Sequence, residues 1–361
     1  PPPRLLQKPI VDVVFVLDTT GSMSGLIDAA KEKIWSIAST MAAAQPTPEI
    51  RIGLVGYRDR GDAYVTRIVN LSSDLDSVYA ALMDFQADGG GDGPESVNKA
   101  LFDAVHQMAW SEADQAYQVI FLVGDAPPHM DYQDEVRYPE ILASAAQKGI
   151  VVNTIQCGTM AGTIEPWTQI ANLGRGNYFQ VEQAGSAVAM ATPYDEEIAT
   201  LSARLDGTRL YYGSTEEKKV MSEKMAATAK LHEGASMATR ARRGAFNSAD
   251  AGKDNFLGDN ELVAAVASGS VELEKLDRDS LPEALKPMAP AEQKAFVAEL
   301  AQERQELESR VRELAEARAD LMKKEVAASG GAKDSLDQKI YDTVSRQAAE
   351  VGLVYEDGPA Y

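Results

Sequence analysis

Continuous apolar runs alternate with amphipathic stretches along the first two hundred residues. Val11 to Leu17 (VDVVFVL) reads as a strand buried on both faces, and Ser22 to Ala44 follows with Ile27, Ile34, Ile37 and Met41 at helical spacing. The alternation continues through a strand at Glu49 to Tyr57 and helices at Asp74 to Gln86 and Glu95 to Trp110. It then runs through strands at Tyr117 to Val123, Ile150 to Gln156 and Asn177 to Val181. Helices at Glu135 to Lys148, Ile164 to Leu173 and about Tyr194 to Leu205 fall between and after them. One strand, Ala63 to Leu71, breaks the order. The charged turn RDRGD before it is too short for a crossover, so it must run antiparallel to its neighbour. The expected fold is α/β, a doubly wound, mostly parallel sheet with one antiparallel edge strand, over residues 11–206. A proline-rich tether, residues 1–10, precedes it.

Beyond Gly207 the pattern turns helical and charged, which predicts an all-α C-terminal region over 207–361. Ser214 and Glu217 form a capping-box signature for a helix reaching about His232. Glu233 to Asn255 is rich in alanine and glycine without a clear period and reads as a mobile segment. A long helix, Ala291 to Ala328, carries Leu300, Leu307, Leu314 and Leu321 at every seventh position, with Val297, Arg304, Val311 and Arg318 on the other seam. Two arginines in a seam disfavour a simple dimer. With the Gly330, Gly331 break and a second amphipathic helix behind it, the expectation is an antiparallel, coiled-coil-like hairpin over about 291–355. An oligomer through these helices is the other use of such a seam.

Composition narrows the classes. The chain carries 35 basic and 55 acidic side chains, a formal charge of −20, and residues 1–200 hold 26 acidic against 12 basic ones. A domain so acidic repels phosphate backbones, which excludes nucleic acid as a direct partner. No apolar run is long enough for a transmembrane segment. Cys157, the one cysteine, lies in the apolar run IVVNTIQC and reads as a buried structural thiol. The opening PPPRLLQKP has no methionine and reads as a processed or truncated terminus; a periplasmic or secreted location is expected over a cytoplasmic one.

The polar residues at the strand ends carry the candidate chemistry. Asp18, Thr20 and Ser22 follow the first strand, Asp92 lies in the glycine loop GGGDGPE, and Asp125 follows the strand Tyr117 to Val123. Ligands of open parallel sheets sit at the carboxyl ends of strands, so these oxygens converge on one edge. An oxygen-only donor set suits a hard divalent ion, Mg²⁺ above all, with Mn²⁺ or Ca²⁺ as substitutes. A cation would also relieve the mutual repulsion of three carboxylates.

Asp18-x-Thr20-x-Ser22, the glycine-rich second loop and the aspartate after a buried strand together resemble the metal-ion-dependent adhesion site of the von Willebrand factor type A domain. The resemblance covers about Val11 to Leu205. It implies Mg²⁺ held by the Thr20 and Ser22 hydroxyls, with Asp18 and Asp125 directly or through water, and a protein partner at the open position. Asp92 stands where adhesion receptors usually carry a threonine; the added charge favours a cation held without a partner. GGGDGPE and GDAPPH also resemble a mainly bacterial subgroup and the domains attached to alpha-type kinases, although no kinase-like phosphate loop follows residue 205.

The expected function is a metal-dependent protein-interaction or adhesion module that scaffolds a protein assembly. The alternative is an adaptor subunit for an AAA+ ATPase in a chelatase-like system, with a Mg²⁺-dependent hydrolase behind both. An aspartyl phosphoryl-transfer site needs a second acid two residues after Asp18, where this chain has Thr20, so no enzyme is expected.

Overall fold

The computed structural model describes residues 8–91, 93–113, 116–183, 190–328, 336–355 and 358. The chain divides into two compact units, Pro1–Ala189 with Ser329–Tyr361 and Met190–Ala328. Most of the tether, residues 1–7, lies outside the described residues.

The first unit is built on six strands, β1 (Ile10–Asp18), β2 (Glu49–Tyr57), β3 (Thr66–Ser72), β4 (Ala116–Gly124), β5 (Val151–Cys157) and β6 (Arg175–Val181). Their order is β3-β2-β1-β4-β5-β6. β3 runs antiparallel to β2 at one edge and every other pairing is parallel. The RDRGD turn therefore does what its length requires. Helices α1 (Ser24–Ala42), α2 (Leu75–Met83), α3 (Val97–His106), α4 (Tyr138–Gln147) and α5 (Ala161–Leu173) connect the strands. A short 3₁₀ turn, Gly21–Met23, sits between β1 and α1. One continuous core joins Val14, Val16, Val55, Ile120 and Leu122 of the sheet to Leu101, Leu142 and Trp167 of the helices.

β1 is buried along nearly its whole length, which is why it reads as an unbroken apolar run. Asp12 interrupts the apolar run, fully buried, and Arg51 answers it from the adjacent strand through Nε (2.7 Å) and a second guanidinium nitrogen (2.6 Å). Removing one partner would strand the other's charge, so the pair fixes this end of the strand.

The second unit is helical: α6 (Asp195–Asp206), α7 (Thr215–Gly234), α8 (Met237–Ser248), α9 (Lys253–Leu257), α10 (Leu262–Ala267) and α11 (Pro290–Ala328). The capping box at Ser214 is formed, with Ser214 Oγ accepting from Glu217 N and Glu217 Oε2 from Ser214 N. The segment expected to be mobile is instead largely α8, capped by Ser236 and packed on α6. Its inner face consists of Thr239, Ala241, Arg242, Arg243, Gly244 and Phe246, a mixture whose apolar period is too weak to see. Gly244 lets α8 approach α6 closely. A Cβ would come within 3.0 Å of Ser202 and 3.2 Å of Ile198 on α6.

The seam of α11 is buried within this unit, Val297, Arg304, Leu307, Val311, Leu314 and Arg318 among it. Both arginines have carboxylate partners inside the unit. Arg304 binds Glu261 with two nitrogens (2.8 and 2.9 Å) and the Thr208 carbonyl (2.7 Å), and Arg318 Nε donates to Asp195 Oδ1 (2.7 Å).

The chain then returns to the first unit as α12 (Leu336–Ala348), which packs on α1 and β6. The two arms of the expected hairpin over 291–355 belong to different units. The Gly330, Gly331 break lies outside the described residues. Gln347 of α12 accepts from the Tyr117 hydroxyl (2.7 Å) and donates to Asn153 Oδ1 (3.0 Å). Gln45 and Val354 pair backbone to backbone. These polar contacts give an amphipathic helix a specific seat on the sheet unit.

Candidate metal centre

β1, β2 and β4 end side by side. Asp18 stands opposite Tyr57 in the register, and Leu17 opposite both Gly56 and Val123. Asp18 closes β1 and Asp125 follows the last residue of β4, so both carboxylates emerge at one carboxyl edge. After Asp18 the chain turns sharply. Asp18 Oδ1 accepts from Thr20 N (2.9 Å) and Thr20 Oγ1 (2.6 Å), an Asx-type turn that lifts the hydroxyl residues toward the edge. Thr20 Oγ1 lies 3.4 Å from Ser22 Oγ.

Asp18 Oδ2 is buried and has no hydrogen-bond partner among the described residues. Burial, with a contribution from Asp125, raises this carboxyl to about 7 despite the two Thr20 hydrogen bonds. Gly124 makes the close approach possible. A Cβ there would stand 2.5 Å from the Tyr57 hydroxyl and 3.0 Å from Asp18 Oδ2.

The second loop reaches the same point. Gly89 and Gly90 take left-handed φ values of 78° and 84°, and the Gly89 carbonyl accepts from Gly21 N (3.2 Å). Gly90 passes close to both Thr20 and Glu95. Asp92, the ligand expected from this loop, lies outside the described residues. The acid that faces the site is Glu95, only 4% exposed, with Oε2 also lacking a hydrogen-bond partner among the described residues. Burial first, then the charges of Asp18, Asp59, Asp62 and Asp125, raise it to about 9. Its backbone is tied to the Asp125 loop through Glu95 N to Pro127 O (2.9 Å) and His129 N to Glu95 O (3.0 Å).

A helix start behind a glycine run, the pattern in which Glu95 sits, carries no sign of its side-chain direction. The only available signal was the second acid in GGGDGPE.

Behind Glu95 lies a buried polar shell. Asp59 accepts from Ser96 Oγ (2.8 Å) and the Tyr132 hydroxyl (2.9 Å), with His129 Nε2 at 3.4 Å. His129, which reads as an ordinary loop residue, is 5% exposed, stacked on Tyr132 and bonded through Nδ1 to Asp131 (2.8 Å). Cys157 is buried beneath the edge, as expected, and burial pushes its thiol upward. On the other side Gln183 Nε2 donates to Asp125 Oδ2 (2.7 Å) and lies 3.4 Å from the Ser22 carbonyl.

Asp18, Thr20, Ser22 and Asp125 are therefore gathered at one edge, and Glu95 joins them. No three carboxylate, imidazole or thiolate side chains among the described residues come close enough to hold an ion by themselves. A cation here needs the hydroxyls of Thr20 and Ser22 as well. The donor set fits a hard divalent ion. It is oxygen only, two of its buried carboxylate oxygens lack partners among the described residues, and the raised Asp18 and Glu95 carboxyls mark a site that is destabilised when ionised without a positive charge.

A doubly wound, mostly parallel sheet with a hydroxyl and carboxylate cage behind its first strand defines the class, an α/β domain with its ligand site at the carboxyl edge. The profile of the von Willebrand factor A domain matches residues 12–192, half of the chain, and the chain belongs to that family. Over 127 residues it is 37% identical to von Willebrand factor A domain-containing protein 7 of Mus musculus, covering 35% of this chain and 13% of that protein. Over 121 residues it is 28% identical to alpha-protein kinase vwkA of Dictyostelium discoideum, covering 33% of this chain and 19% of that one. The chain thus spans less than a fifth of the length of either relative. Among solved structures, proximal thread matrix protein 1 from the mussel byssus, with a zinc-occupied MIDAS motif, matches at 14% identity and a TM-score of 0.38. That match covers 49% of this chain and 42% of that one.

Proposed function

We propose that the chain is a metal-dependent protein-interaction module in which Mg²⁺ is a standing part of the binding surface, serving a protein assembly. One observation carries this reading: Asp18, Thr20, Ser22, Asp125 and Glu95 converge at one edge of the sheet, with the Asp18 Oδ2 and Glu95 Oε2 atoms left without hydrogen-bond partners among the described residues. Thr20 and Ser22 would hold the ion through their hydroxyls, with Asp18, Asp125 and Glu95 supplying negative charge directly or through water. Bound Mg²⁺ would supply a fixed positive charge and an exchangeable coordination position. With three carboxylates facing it, that charge is largely neutralised, which favours retention of the ion over strong capture of a partner's acidic side chain.

The reading is non-catalytic. Thr20 donates its hydroxyl to Asp18 Oδ1, in the place where a phosphoryl-transfer site would present a second acid. The test is recovery of bound protein on immobilised full chain in Mg²⁺ and in EDTA, with Asp125→Ala alongside. Recovery that falls in EDTA and in the variant supports the proposal. Equal recovery in all three sinks the metal-dependent part of it.

A further inference from the structure

Gln183 lies two residues past the end of β6, with its carboxamide laid over the edge of the candidate centre. Nε2 donates to Asp125 Oδ2 at 2.7 Å, lies 3.4 Å from the Ser22 carbonyl and rests 3.9 Å from Met23 Sδ. The other end of the amide is held away from the site. Oε1 packs against Gly158, where an added Cβ would stand only 2.1 Å from it. The carboxamide therefore turns its donor, not its acceptor, toward Asp125, on the side facing Ser22.

Resting on the metal-dependent reading above, we infer that Gln183 is a built-in competitor for the cation, whose amide occupies the Asp125 oxygen the ion would use and so limits affinity. A divalent ion and an amide N–H both seek a carboxylate lone pair, and their positive ends repel at the short distances involved. Mg²⁺ demands near-ideal octahedral geometry about 2.1 Å from each oxygen. An ion coordinated through Asp125 Oδ2 on the Ser22 side would compete there with the amide donor that now lies 2.7 Å from that oxygen. Either the amide withdraws or Asp125 serves through its other oxygen or a water. Both outcomes cost binding free energy, because a hydrogen bond to a charged group is worth more than one between neutral groups. Gln183 is exposed, so solvent screens part of that cost.

The experiment is calorimetric titration of Mg²⁺ and Mn²⁺ into the EDTA-stripped full chain, for wild type, Gln183→Met, Gln183→Glu and the control Gln180→Met. Methionine keeps the bulk of glutamine and removes the donor. Gln180 sits at the same strand end, but its amide binds the Gly158 carbonyl, away from Asp125. Gln183→Met is expected to bind both ions about three- to tenfold more tightly, Gln183→Glu more tightly still, and Gln180→Met like wild type. In EDTA the melting temperature of Gln183→Met should stay level or fall. A residue that merely props the edge would lose cation affinity along with stability, so opposite directions of the two readouts separate competition from scaffolding. Wild-type binding with equal or weaker binding by Gln183→Met overturns this inference and leaves the metal-dependent reading standing. No binding by any variant overturns both. Binding by Gln183→Met where wild type shows none supports it in its strongest form.

Discussion

Asp18 and Glu95 make the pH behaviour of the cation-free protein unusual. Both carboxyls titrate above their unfolded values near 4, Asp18 at about 7 and Glu95 at about 9, because burial and neighbouring carboxylates disfavour ionisation. An acid raised on folding favours the native state while protonated. Its contribution is therefore fully present below the unfolded value and is lost as pH rises through the folded one. In EDTA the melting temperature should fall between about pH 4 and pH 9. If the proposed site holds Mg²⁺, the ion should flatten or reverse that fall, since a bound cation favours the ionised forms. Glu95→Gln should remove much of the fall above pH 7 in EDTA and also weaken Mg²⁺ binding; parallel pH curves in EDTA and Mg²⁺ contradict the assignment. Gly124→Ala tests the packing behind the site. Its Cβ would press on Tyr57 and Asp18, so the substitution should cost about 1–3 kcal/mol of stability in denaturant titrations. The gathering of Asp18, Thr20, Ser22 and Asp125 at one edge was legible because they lie at, or within a few residues of, a strand end that the apolar run marks. Glu95, His129 and Gln183 were not, since side-chain direction in a glycine loop or past a strand end has no period to read.

At the scale of elements, α11 shows what a seam pattern does and does not say. Its heptads marked the buried face correctly, and the two arginines that disfavour a dimer are bound within the helical unit. Glu261 accepts from Arg304 and also caps α10 through Ala264 N (2.7 Å), so the ion pair and the helix start share one carboxylate. Arg304→Leu leaves that carboxylate buried beside Leu210 N and Ala264 N without its charge partner. The loss should be about 3–5 kcal/mol in denaturant unfolding; a loss under about 1 kcal/mol would mean the pair is solvated in solution. α8 escaped the sequence for the opposite reason. Its buried face is made of Arg243, Gly244, Ala241 and Thr239, and Arg243 pays its way by binding Asp206 with two nitrogens (2.8 and 3.0 Å). A buried face built from polar pairs and small residues leaves no hydrophobic period.

For the whole molecule, the alternation of strands and helices was enough to give the sheet and its reversed edge strand, because crossover length and strand direction are linked. The return of α12 to the first unit was not legible. Ile340, Val344 and Ala348 define an apolar face, but the surface it covers depends on matches such as Gln347 with Tyr117 and Asn153, residues some two hundred positions away in sequence. In the proposed reading, cation binding would report on the folded sheet unit as a whole, since the donors come from three separate segments that unfolding disperses. Mg²⁺ should raise the melting temperature progressively with concentration, by mass action, in wild type and not in Asp125→Ala. The most direct single measurement is calorimetric titration of Mg²⁺ into EDTA-stripped protein near pH 7.5, in two buffers of different ionisation enthalpy. The account predicts one saturable site whose binding releases protons, because Glu95 and part of Asp18 must ionise. Absence of saturable binding at millimolar Mg²⁺, or binding without proton release, would contradict it.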